Sequence, residues 1–158
     1  MLASPMRADN SRIEPCSHEE ADTRMMLHIK DAAHDKHEKI MVRTADTDVV
    51  VLVLSILHRI HVKEAWIYFG VGRHHMYIPA HAIAAALGQP RAAALAMFHA
   101  FTGSDTMSFF AGKGKKTAWN TWTVFPDVTD AFLLLTNAPQ SIPNNTFDLL
   151  EKFCCSCV

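Results

Sequence analysis

The chain lacks any stretch of about 18 uninterrupted apolar residues, the length a helix needs to cross a bilayer. Its longest apolar run, residues 49–57, is interrupted by Ser55. A secretory leader is also missing, because residues 1–10 hold no long apolar segment ahead of a small-residue cleavage site. Cysteine is sparse and poorly placed for a disulfide framework: Cys16 stands alone, and Cys154, Cys155 and Cys157 crowd the end. Charge of one sign is not in excess either. The formal net charge is −1 and the pI is near 6.8, so any attraction to nucleic acid must come from a local basic patch. These absences predict reduced thiols, no membrane span and an intracellular location, the nucleus included.

What is present suits one ordinary core: 158 residues, 49% of them hydrophobic and 20% charged, are too few to divide confidently into two domains. After an irregular stretch over residues 1–16, Ser17 and Glu20 form a capping box ahead of an expected helix at 18–33. Ala21, Met25, Ile29 and Ala32 give that helix one apolar face. Residues 39–44 read as a buried strand, 45–48 as a turn, and 49–60 as an apolar helix despite its valines. A hairpin is expected from strands at 65–69 and 75–78 around a turn at 70–72. Helices follow at 79–87 and, after Gly88 and Pro90, at 91–101. Shorter helical pieces are expected at 117–122, 127–135 and 147–153. Alternating strands and helices predict an α/β domain.

Five carboxylates stand out. Glu20 and Asp22 lie at a helix start, Asp46 and Asp48 at the end of a strand, and Asp105 just beyond a helix. Carboxylate oxygens are natural ligands of Mg²⁺ and Mn²⁺. Two such ions about 4 Å apart activate a water and stabilise the leaving oxygen of a phosphodiester. The ordinary reading is that acidic residues favour helix N-termini and cap turns. Asp46-Thr47-Asp48 is the least ordinary, because the strand ends of an α/β sheet are where ligands bind.

The order Glu20-Ala21-Asp22, Asp46-Thr47-Asp48, Gly103-Ser104-Asp105, Gly112-Lys113-Gly114-Lys115-Lys116 resembles the PIN-like superfamily, and most closely its flap endonuclease (XPG-type) branch. That branch has an E-x-E pair, a D-x-D pair, a G-[SC]-D motif and a G-x-G-x-K hairpin in the same sequence. The resemblance spans residues 17–122, the second half of such a domain. It implies a PIN-like, Rossmann-like three-layer sandwich with a small mostly parallel sheet, lacking the N-terminal strand. Residues 17–125 would form this domain with its glycine-lysine hairpin, and 126–158 a helical C-terminal segment that a truncation would cut short.

By the same resemblance Glu20, Asp22, Asp46, Asp48 and Asp105 would hold two Mg²⁺ or Mn²⁺ ions. Gly112, Lys113, Gly114, Lys115 and Lys116 would grip a DNA or RNA backbone. Asp22 stands where the family has Glu, and the aspartates that the family supplies upstream have no counterpart beyond Asp9.

Other features point elsewhere or nowhere. The glycine-lysine segment lacks Walker A spacing, so no nucleotide cofactor is expected. Trp119 and Trp122, three apart, suit core packing better than base stacking, while Arg24 and Arg43 could neutralise phosphate. Pairs such as His34/His37, His58/His61 and His74/His75 form no zinc motif, and Cys154/Cys157 has no second pair. The expected function is divalent-metal-dependent hydrolysis of DNA or RNA phosphodiesters. The alternatives are an inactive nucleic-acid- or protein-binding remnant of such a nuclease, or a truncated gene product.

Overall fold

The computed structural model describes residues 21–103, 114–137 and 139–157. It is mixed α/β. Among the described residues, helix α1 (Ala21–His34) leads to strand β1 (Lys39–Thr44), helix α2 (Thr47–Ile56) and a 3-10 turn, Leu57–Arg59. Strands β2 (Glu64–Val71) and β3 (His74–Pro79) follow, then helices α3 (Ala80–Leu87) and α4 (Gln89–Phe101). The chain finishes with α5 (Lys115–Val124), α6 (Val128–Thr136) and α7 (Asn144–Ser156).

The three strands lie in the order β1-β2-β3, with β1 parallel to β2 and β2 antiparallel to β3. The sheet is therefore mixed, and the expectation of a mostly parallel one is corrected. The cause is local: β1 and β2 are joined by a helical crossover, as a parallel pair requires, while β2 returns directly through a hairpin. The hairpin turn is not at residues 70–72 but at Gly72 and Arg73, since Val71 still pairs with His74. Gly72 has φ +61°, as the first central position of a II′ turn demands. Gly70 instead sits inside the strand with φ +118°, where a Cβ would strike the His74 carbonyl oxygen.

Strand alternation splits the sheet into two faces. Val42, Ala65 and Ile67 point inward and are buried against the helices. Between β1 and β2, α2 forms in spite of its branched residues because Val49 and Val53 are each only 1% exposed. Burying such a side chain contributes about 1.5–3 kcal/mol, which outweighs the few tenths that β-branching costs in a helix. The 45–48 turn is shorter than the sequence suggests, with α2 starting at Thr47.

Alanine lets α4 come close to its neighbours. Ala92, Ala93 and Ala94 are all buried on α4, which packs on both α2 and α6, and its Phe98 meets a second, aromatic part of the core. There Trp122, Phe132 and Phe153 are fully buried, with rings mostly edge to face. Trp122 donates from Nε1 to Thr129 Oγ1 at 2.9 Å, so its polar atom is satisfied inside the core. No helix of the described residues is long and apolar enough to cross a membrane.

Candidate metal and phosphodiester site

The parallel unit β1-α2-β2 sets out the acidic motifs. Beyond the end of β1, the Asp46 amide donates to Thr44 Oγ1 at 3.0 Å, turning the chain. Asp46 then takes the N-cap of α2 in an extended conformation, φ −98° and ψ 129°, and its Oδ1 accepts from the Asp48 amide at 2.8 Å. For Asp46 the ordinary role of a cap is thus realised. Its carboxylate borders an open depression formed with Thr44, Ala45 and Thr47.

Asp48, one helical position into α2, faces a different space. Together with Asp22 from the first turn of α1 it lines a cavity of about 180 Å³ whose other walls are Val51, Leu52, Ala96, His99 and Ala100. Each of these two aspartates alone is explained by the positive end of its own helix. Their meeting in one cavity, from helix starts 26 residues apart in sequence, is not.

His99, in the last turn of α4, is a functional candidate that the sequence did not single out. Its Nε2 lies 2.8 Å from Asp48 Oδ1, with 16% of the histidine side chain and 41% of the aspartate side chain exposed. A carboxylate only accepts, so the hydrogen must be on Nε2. The bond occupies Oδ1 and leaves Oδ2 for another ligand. On the other side, Lys115 Nζ is 2.9 Å from His99 Nδ1 and 3.2 Å from Nε2. Near-equal distances to both nitrogens cannot arise in the ring plane without a clash with Cε1. The ammonium therefore lies over the imidazole face rather than in line with a lone pair.

Of the basic segment, Gly112 and Lys113 lie outside the described residues. Gly114, Lys115 and Lys116 do not continue a hairpin: Gly114 is the N-cap position of α5, and the two lysines fill its first turn. Among the described residues no side chain caps that helix and no acid sits in its first turn, so its leading N–H groups and two ammonium groups form a cationic end. Lys115 brings that end to His99, and hence to Asp48.

Glu20 and Asp105 also lie outside the described residues, as does the Ser17 capping box. Among the described residues no group of three His, Cys, Asp or Glu side chains is arranged to hold a metal. Two hard oxygen donors at one cavity match the ligand chemistry of Mg²⁺ or Mn²⁺ in kind, and a complete set would need further ligands. Arg43 lies with its guanidinium carbon 5.7 Å from the Tyr68 ring centroid, and Arg24 is exposed on α1. Trp122 is core, and half-buried Trp119 packs against Phe98, as their spacing predicts.

No family model, no curated protein and no solved structure matches the chain.

Proposed function

We infer that the chain is the carboxylate-bearing part of a PIN-like, Rossmann-like domain that hydrolyses DNA or RNA phosphodiesters with Mg²⁺ or Mn²⁺. The observation that carries this reading is the convergence of Asp22 and Asp48 on one cavity, with Lys115 of the glycine-lysine segment beside it. Asp22 and Asp48 would hold the cation, and by the resemblance Glu20, Asp46 and Asp105 would complete its ligands. When bound, the cation supplies Lewis acidity toward the phosphodiester and an activated water.

The chain's own groups have separable tasks. His99 fixes the rotamer of Asp48 through the Nε2–Oδ1 bond and so aims Oδ2. Lys115, Lys116 and the leading N–H groups at the start of α5 suit a phosphate of the strand to be cut. Val51, Leu52 and Ala96 give the cavity apolar walls, which strengthen electrostatic contacts inside it.

A second reading is an inactive nucleic-acid- or protein-binding relative. It is favoured by the commitment of Asp48 Oδ1 to His99 and of Asp46 Oδ1 to the helix cap. Cleavage of single-stranded and branched DNA with Mn²⁺ separates the two. Hydrolysis that stops in EDTA and in the Asp46→Ala/Asp48→Ala double variant supports the nuclease. Binding without cleavage supports the relative, and cleavage that persists in EDTA rules out the metal site.

A further inference from the structure

The outer face of the sheet carries a row of side chains that neither the core nor the carboxylate site uses. Cross-strand register aligns Arg43, Tyr68 and Tyr77 across all three strands. The Tyr68 and Tyr77 rings are 5.1 Å apart, and His75 joins them with its ring 4.7 Å from Tyr68. His75 sits opposite Gly70, whose missing side chain leaves room for the imidazole to lean toward Tyr68. Tyr77 is 58% exposed, and Met41 in the next row is 63% exposed. Tyr68 is half-buried while His75 and Tyr77 are exposed, and such adjoining rings gain free energy when covered by a partner.

We propose that this face binds single-stranded nucleic acid by stacking bases on Tyr77 and Tyr68 while Arg43, beside Tyr68, takes a phosphate. The charge pattern selects this occupant over an apolar protein surface. Arg43 makes no ion pair among the described residues, and no carboxylate stands in the Arg43–Tyr68–Tyr77 row. The acidic Glu64 on this face is neutralised at the far end, where Lys39 Nζ sits 2.7 Å from its carboxylate. That contact and the Trp66 indole hold Glu64 below the usual carboxylate range. Rings standing on a sheet reach splayed bases but not bases stacked in a duplex, so the preference is for single strands. This interaction does not require a metal and stands apart from the hydrolytic reading.

The test is anisotropy of labelled oligo(dT) and oligo(U) titrated with the full chain in EDTA, beside a duplex of equal length. Single strands should bind more tightly than the duplex, and more weakly as salt rises. Tyr77→Leu keeps apolar bulk but removes the ring, and should weaken binding by about 5- to 150-fold, the range for one stacked base. Tyr77→Phe should stay within about twofold. Arg43→Ala should weaken binding and flatten its salt dependence. Lys152→Ala, at an exposed cation on α7, should bind as the parent does, so a general loss of charge and loss of this face give different results. Should Tyr77→Leu not fold, Arg43→Ala decides. Parent-like affinity in the ring and arginine variants, equal affinity for the duplex, or no saturable binding to single strands overturns the proposal.

Discussion

Phe98, Trp119, Trp122, Phe132 and Phe153 gather between α4, α5, α6 and α7, whereas Tyr68, His75 and Tyr77 gather on the outer face of the sheet. Each group has an arginine against it. Arg91 lies 4.8 and 4.7 Å from the Trp119 and Trp122 ring centroids, and Arg43 lies 5.7 Å from that of Tyr68. The inner arginine is partly desolvated, and burial lowers its pKa from the usual guanidinium value. It also donates from Nη2 to Thr123 Oγ1 at 2.9 Å. Arg43 is exposed and has no such side-chain partner among the described residues. The same chemistry thus serves cohesion where helices seal it and stays open to solvent at Tyr77, where no described helix packs over it.

Stability measurements can break that contrast. Trp122→Ala removes a fully buried indole and its bond to Thr129, and should cost about 3–5 kcal/mol in urea unfolding. At the start of α2, Asp46→Ala should cost about 1 kcal/mol through the lost cap, while Asp46→Asn keeps the cap and nearly all of the stability. Metal-dependent cleavage lost in Asp46→Asn at parent stability would separate the ligand role from the cap. Smallest of all, Tyr77→Leu should change stability by no more than about 0.5 kcal/mol, because the ring is mostly in solvent. A Tyr77 variant as damaged as Trp122→Ala would mean that the outer rings are part of the core and would end the comparison.

Much of the architecture is legible locally. Branched residues bounded by polar ones define β1 at its observed limits, and glycine and proline mark the break between α3 and α4. The hairpin is legible, but its turn begins two residues later because Gly70 has its positive-φ backbone inside the strand rather than in the turn. The start of α2 is obscured by valines, which favour a strand, and is fixed instead by Asp46 as a cap. At the site, the sequence identifies Asp22 and Asp48 as candidates from their motifs, and they do line one cavity.

His99 was not legible, since it sits in an alanine-rich helix with no ligand spacing around it. Its bond to Asp48 spans 51 residues and exists only once α4 packs on α2. The open aromatic face was hidden for a similar reason. Alternation in β3 separates Tyr77 from Ile78 but does not say which side the helices will cover.

The proposed hydrolysis requires Asp22 and Asp48 to share one cation. Mn²⁺ binding to the parent chain and to Asp22→Asn and Asp48→Asn, followed by calorimetry or by the loss of the free-ion resonance signal, tests this directly. The account predicts saturable binding that either substitution weakens by at least about tenfold, since each removes a charged ligand from a small set. Equal Mn²⁺ affinity in all three proteins, or none in the parent, would contradict it.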